Sequence, residues 1–358
     1  MIQTEYFIKR QDTKKSSPIA LSVLRTEPDN PADVKFVVQI IHGFYDRKER
    51  YLPLMNAIAD AGGMAVIHDM RGFGNTVRSA DELGDTGDLG YNYEILCGDI
   101  NAVYASIREI PDNGEMIECR YLPEIDTPEV PRYLLGFSYG ALITSIFLSK
   151  DTSSAAGAVL AGLPHREAMI FSKRLSLGIR SLFTGDIAKP QSLSRRMTQR
   201  YSVGYTDPSS VDRRLAWYIR DPYIRNELIQ DPICCHSKTV GSYMTRMKLL
   251  CDTYRPSSYN KPRRNFPVLI LAGEFDPEAG GDKKVLDSAK FLEDMGFAPV
   301  EVKMFRGMLH DIFHETGCEN VSSAVISFFK DHLDAENARL DEISGEYSQQ
   351  FDTGGSKD

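Results

Sequence analysis

The chain has 358 residues, 42% of them hydrophobic, and a formal net charge of -8 at pH 7. That is enough for a sizeable core, as one large domain with an insertion or as two domains, and no uninterrupted apolar run approaches the length of a membrane span. The start, MIQTEYFIKRQDTKK, lacks the apolar core of a signal peptide, and the six cysteines are scattered without a C-x-x-C, which argues against a zinc site or a disulfide framework.

A cytoplasmic protein with reduced thiols is therefore expected. No cofactor, metal or nucleic-acid partner is expected either. Gly72-Phe73-Gly74 is too short for a phosphate-binding loop, and no glycine loop precedes a helix carrying a lysine.

In chain order, Gln3 to Lys9 and Ile19 to Thr26 read as early strands. Val34 to Ile41 is a continuous apolar run, as for a strand buried on both faces. It ends in His42-Gly43-Phe44. A helix is expected at Leu52 to Ala61, a strand at Met64 to His68, and a long helix at Tyr91 to Ile110 with apolar positions Ile95, Ile100, Val103 and Ile107. Pro111 to Pro131, rich in proline and acid, reads as an irregular insertion. Tyr133 to Leu135 is strand-like and Ala141 to Leu148 has helical spacing, with another strand at Ala156 to Ala161.

The strand–helix alternation stops from Leu163 to Arg264, where helical patterns such as Ala168 to Phe183 replace it. It resumes with a strand at Pro267 to Ala272, a helix at Lys283 to Met295, a strand at Val300 to Phe305 and a helix at Asn320 to Leu333. Repeated strand–helix units predict an α/β fold with a mostly parallel sheet covered on both faces. The core is assigned to 1–162 and 265–333. Residues 163–264 form a helical cap over the strand ends, where such sheets bind ligands. Residues 334–358, with seven acidic and two basic residues, are expected to be a flexible acidic tail.

Gly136-Phe137-Ser138-Tyr139-Gly140 is a G-x-S-x-G between a strand and a helix, the context of a nucleophile elbow. A bare G-x-S-x-G is common, and its bland reading is an ordinary strand-to-helix turn. A serine nucleophile needs a base, and the base an orienting acid, in the chain order Ser, acid, His. Asp276 and His310 each follow a strand end and meet that order. Glu274 and Asp282 are rivals for the acid, and His314 for the base. The backbone amides of Phe44 and Tyr139 are the candidate oxyanion-hole donors. His42 is read as a brace for its loop rather than a proton-transfer group, and Asp69 and Arg71 as a buried or semi-buried pair holding adjacent loops rather than as substrate ligands.

The segments HGFYDRKERY, HDMRGFGNT, GFSYG, DPICCHSKTVGSY, AGEFDPEAGG and FRGMLHDIFHE resemble the α/β-hydrolase group of monoacylglycerol lipases and lysophospholipases, grouped with serine aminopeptidases. The resemblance covers most of Val34 to Leu333. It implies an α/β-hydrolase fold, a triad of Ser138, Asp276 and His310, and an oxyanion hole at Phe44 and Tyr139. The family usually has His and Met on either side of the serine, where this chain has Phe137 and Tyr139. Its first loop usually ends acid-His, where this chain has Asp46-Arg47.

A serine hydrolase acting on monoacylglycerol- or lysophospholipid-like esters is the leading expectation. A serine aminopeptidase, which needs an acid such as Glu167 or Glu227 for a free amine, and a non-catalytic binding protein are the alternatives. Met169, Ile170, Leu175, Leu177, Ile179, Leu182 and Phe183 are expected either to line an acyl pocket or to pack on the core. His165 to Arg214 carries ten basic and four acidic residues, including Arg195, Arg196 and Arg200. That suggests a cationic rim and a transient membrane-surface contact through the cap, against the bland reading of a solvated helical face. The oligomeric state is not legible.

Overall fold

The computed structural model describes residues 1–11, 18–86, 93–108, 113–118, 130–167, 170–202, 205, 213–262 and 265–352, with the backbone alone at 118, 170–174 and 341–352. Met169 and most of 111–131 lie outside the described residues, as do the side chain of Ile170 and the end of the acidic segment.

The chain opens with strands β1 (Ile2–Arg10), β2 (Ile19–Glu27) and β3 (Phe36–Ile41), then helix α1 (Leu52–Asp60), strand β4 (Gly63–His68) and helix α2 (Glu94–Ser106). Next come β5 (Met116–Glu118), β6 (Arg132–Phe137), α3 (Tyr139–Lys150) and β7 (Gly157–Ala161). Four helices follow: α4 (Ile170–Thr184), α5 (Gln191–Thr198), α6 (Pro222–Gln230) and α7 (Val240–Thr253). The chain closes with β8 (Val268–Gly273), α8 (Gly281–Asp294), β9 (Glu301–Phe305) and α9 (Cys318–Asp352).

The strands form one nine-stranded sheet in the order β5-β1-β2-β4-β3-β6-β7-β8-β9. β2 pairs antiparallel with β1 and with β4; every other pairing is parallel. The central strands β3, β4, β6, β7 and β8 are buried at every position, which explains their unbroken apolar runs. From β3 the chain crosses through α1 to one side. From β6 it crosses through α3 to the other. Right-handed crossovers in opposite directions put α1 and α3 on opposite faces. α9 packs on α1, and α2 packs on α3. The order reverses between β3 and β6, so their carboxyl ends flank the crevice where doubly wound sheets hold ligands.

A buried polar contact lies within this core. Arg132 is fully buried at the start of β6, its guanidinium 3.9 Å from the centre of the Tyr104 ring and donating to Gln39 Oε1 at 2.5 Å. Burial lowers its pKa to about 10.

Two differences from expectation are local. Within the expected irregular insertion, Met116–Glu118 adds to the sheet edge, pairing parallel with Phe7 to Lys9. Three residues carry too little pattern to show this; the open edge of β1 supplies the template. The last helix does not stop at Leu333 but runs to Asp352, through most of the expected flexible tail. Ala335, Ala338, Arg339 and Leu340 are strong helix formers. Glu336 and Leu340 are buried, and Arg339 Nε donates to Glu336 Oε1 at 2.9 Å.

Candidate active site

At the end of β6 the backbone turns through Ser138 with φ 54° and ψ -110°, and α3 begins at the next residue. That conformation is costly for a residue with a side chain. Its neighbours must be small. A Cβ on Gly140 would stand 2.0 Å from the Ile41 carbonyl oxygen, and one on Gly136 2.4 Å from Thr144 Oγ1. The turn lifts the Ser138 hydroxyl over the switch point.

Two later strand ends complete the arrangement. Asp276 follows β8, its Oδ1 accepting from the Glu278 and Ala279 amides at 2.8 and 3.1 Å. His310 follows β9. Its Nδ1 lies 2.8 Å from Asp276 Oδ2 and its Nε2 2.8 Å from Ser138 Oγ. All three side chains are buried. The His310 ring is walled by Phe137, Trp217 and Tyr218, with centroids 5.2 to 5.4 Å away. Burial opposes charging of this imidazole, yet the carboxylates of Asp276, Glu278 and Asp311 outweigh it and lift its pKa above the usual histidine value.

The rivals are placed elsewhere. His314 bonds Asp311 Oδ1 at 2.7 Å and the Arg50 carbonyl at 2.8 Å. Glu274 accepts from the Gly307 amide at 2.8 Å, and Asp282 is exposed in the first turn of α8. Asp46, Asp311 and His314 bring possible ligand atoms within 4.8 Å of one another. Arg50 already bridges both carboxylates there, at 2.8 Å each.

Phe44 follows β3 and Tyr139 opens α3. Among the described residues neither backbone N–H has a protein acceptor, and a helix N-terminus favours negative charge. Phe44 lines a small cleft with Ser138, and its ring meets that of Tyr139 at 5.0 Å. His42 holds the loop, as expected: its Nδ1 lies 2.8 Å from the Gly43 carbonyl and its Nε2 accepts from the Met70 amide at 3.0 Å. Among the described residues, Asp69 and Arg71 do not form the expected pair with each other; each is held by a different partner of opposite charge. Asp69 takes Lys48 and the Asn75 amide, and Arg71 bonds Asp99 at 2.7 and 2.9 Å.

Helices α5 and α7 bring in residues that sequence reading missed. Glu278, two positions after Asp276, lines the Ser138 cleft and is gripped by Arg246 at 2.6 Å and Arg200 at 3.5 Å. Burial opposes its ionisation, but the two guanidiniums hold its pKa at about 2. Trp217, Tyr218 and Met197 complete the wall. Glu278 is visible in AGEFDPEAGG as a second acid beside Asp276, but no motif couples it to arginines 32 and 78 residues upstream. Arg200, expected on a cationic rim, is instead drawn inward; it also pairs with Glu167 at 2.7 Å.

The expected acyl-lining side chains mostly face away. Leu182 and Phe183 are 84% and 85% exposed, Leu175 and Ile179 about half, and only Leu177 of those described lines a cavity. Helical spacing identified one apolar face but not which way it turned.

A family described as serine aminopeptidase, S33, matches residues 32–317. The chain belongs to this family. No protein of curated function matches it by sequence. Among solved structures it is similar to a thermostable carboxyl esterase from Bacillus coagulans (TM-score 0.73, 18% identity, covering 93% of this chain and 99% of that one). A lipase in an open form aligns with TM-score 0.72 at 20% identity, over 93% and 99%. A monoglyceride lipase from Saccharomyces cerevisiae aligns with TM-score 0.63 at 16% identity, over 91% and 94%. Likeness at such identities shows the α/β-hydrolase fold, and the fold alone does not choose the substrate.

Proposed function

We propose that the protein is a cofactor-free serine hydrolase that cleaves carboxylic esters of monoacylglycerol- or lysophospholipid-like lipids. The observation that carries this is the buried chain Ser138–His310–Asp276, with both links at 2.8 Å. Ser138 Oγ attacks the ester carbonyl as His310 Nε2 takes its proton. Asp276 accepts the Nδ1–H and stabilises the imidazolium. The developing oxyanion accepts from the Phe44 and Tyr139 amides. The C–O bond to the alcohol breaks, and the leaving alkoxide takes the proton from His310, which leaves an acyl-Ser138. His310 then deprotonates water, which attacks the acyl carbon; collapse returns the proton to Ser138 and releases the carboxylate.

The aminopeptidase reading needs a free carboxylate for the substrate amine. Glu278 and Glu167 are occupied by arginines, and Glu227 is exposed on α6, so ester chemistry is preferred. A binding protein that had lost catalysis would be expected to lack a member of the hydrogen-bonded chain. The domain reading follows: 1–162 and 265–333 do the chemistry, and the insertion 163–264 selects the substrate. Exposed Leu175, Ile179, Leu182, Phe183 and Ile187 suit transient contact of that insertion with a lipid surface.

A fluorophosphonate probe tests the reading. It should label wild type at Ser138 and leave Ser138→Ala unlabelled, and hydrolysis of p-nitrophenyl esters and monoacylglycerols should fall by several orders of magnitude in that variant. Ester activity within about ten-fold of wild type in Ser138→Ala would sink the assignment. Turnover of aminoacyl anilides but not esters would favour the aminopeptidase.

A further inference from the structure

A cavity of about 530 Å³ lies between α4, α5 and α7, within the range of small-molecule sites. Met197 and Arg200 stand in the wall it shares with the Ser138 cleft. Its lining is of two kinds. Leu177, Leu193 and Met197 are apolar, while Arg180, Arg196 and Arg200 are cationic, and among the described residues no carboxylate lines it. Arg200 is neutralised by Glu167 and Glu278. Arg180 and Arg196 are not: among the described residues neither forms an ion pair, and Arg180 reaches only the Ser192 hydroxyl, at 3.5 Å. At the inner end Arg246 lines the cleft beside Ser138. It is buried, one nitrogen holding Glu278, and among the described residues its Nη1 has no acceptor. A buried guanidinium N–H without a partner is expensive, and an acceptor oxygen on a bound molecule would relieve it.

We propose that this cavity binds an amphiphile bearing a phosphate or carboxylate, its apolar chain against Leu177, Leu193 and Met197 and its anion at Arg180 and Arg196. The inference deepens the ester-hydrolase reading by naming the substrate class, anionic acyl esters over neutral ones. Guanidinium groups suit both anions, since each offers paired oxygens to their fork of donors. The bland alternative is a solvated helical face, for which Arg180 and Arg196 would do nothing.

Trp217, the sole tryptophan, lies in the wall of the cleft, so its fluorescence reports binding without turnover. In the full chain carrying Ser138→Ala, oleoyl lysophosphatidate, oleate and oleoyl monoacylglycerol are titrated at low and high salt. Both anions should bind about ten-fold tighter than the neutral lipid at low salt, and the preference should shrink as salt rises. Arg180→Gln with Arg196→Gln should abolish the preference, and the paired lysine variants should keep most of it. A stronger effect for lysophosphatidate than for oleate would assign the site to phosphate, and the reverse to carboxylate. Equal affinities for anionic and neutral lipids, or a preference unchanged in the glutamine variants, would overturn the proposal. That outcome with Ser138-dependent ester turnover intact would leave the hydrolase reading standing. Anion binding in a protein that turns over no ester would do the opposite.

Discussion

Glu278 and Asp276 are tied to each other and to opposite sides of the site. The Glu278 amide donates to Asp276 Oδ1 at 2.8 Å, while the Glu278 carboxylate receives Arg246 Nη2 at 2.6 Å. The loop that orients the acid is thus anchored to α7 of the insertion. Glu278→Gln removes a negative charge facing His310 and takes the carboxylate from the buried Arg246 guanidinium, while Arg200 keeps Glu167. Breaking a buried pair costs about 3 kcal/mol, so the melting temperature should fall. The acid limb of kcat/KM should move to lower pH. An unmoved limb would show that Glu278 acts on the fold alone.

The base must be neutral to accept the serine proton. With the His310 pKa raised, activity should fall as pH drops through a value above 6.5, not below it. His310→Gln should abolish hydrolysis, and His314→Gln, whose ring bonds Asp311 and Arg50, should retain most of it. Rate measurements from pH 5 to 9 on the three proteins check both statements.

Lys238 is fully buried with its Nζ 2.9 Å from His236 Nε2 and 5.0 to 5.5 Å from the ring centres of Phe44, Tyr45 and Phe73. Burial lowers its pKa to about 7. Between that value and the ordinary 10.5 the unfolded chain holds a proton that the folded chain lacks, so this group makes the protein more stable as pH rises. Its share of the slope is about 1 kcal/mol per pH unit near pH 9. Urea unfolding of wild type and Lys238→Met between pH 7 and 10 should show the variant losing that share. Parallel slopes would mean that Lys238 stays charged.

Gly140→Ala should be among the most damaging small changes in the chain. Its Cβ would press on the Ile41 and His42 carbonyl oxygens at 2.0 and 2.7 Å, and the backbone on both sides is fixed by the sheet. Forced overpacking of this kind costs about 1–3 kcal/mol or more. A thermal melt and a phosphonate-labelling rate should both be impaired; normal labelling would show that the elbow relaxes freely.

The exposed apolar face of α4 predicts lipid adsorption. Leu182→Ser with Phe183→Ser should weaken co-sedimentation with phosphatidylglycerol vesicles about ten-fold or more, given the apolar area removed. Turnover of a short soluble p-nitrophenyl ester should be unchanged. Equal sedimentation of variant and wild type would remove the membrane contact.

The sequence by itself determined the core. Strands such as Val37 to Ile41 and Leu134 to Phe137 are continuous apolar runs because both faces are covered, and G-x-S-x-G is written in five consecutive residues, although the Ile41 carbonyl that confines Gly140 belongs to the end of β3. Chain order then singled out Asp276 and His310, since the end of each late strand falls on the same edge of the sheet. Local pattern stops at that edge. The facing direction of Leu182 and Phe183 depends on how α4 is rotated against its neighbours. The three-residue pairing of Met116 to Glu118 depends on the open edge of β1. The meeting of Arg200, Arg246 and Glu278 needs α5, α7 and the acid loop to converge. A charge has no periodicity that names its partner, so the tertiary structure alone decided which arginines turned inward to a carboxylate.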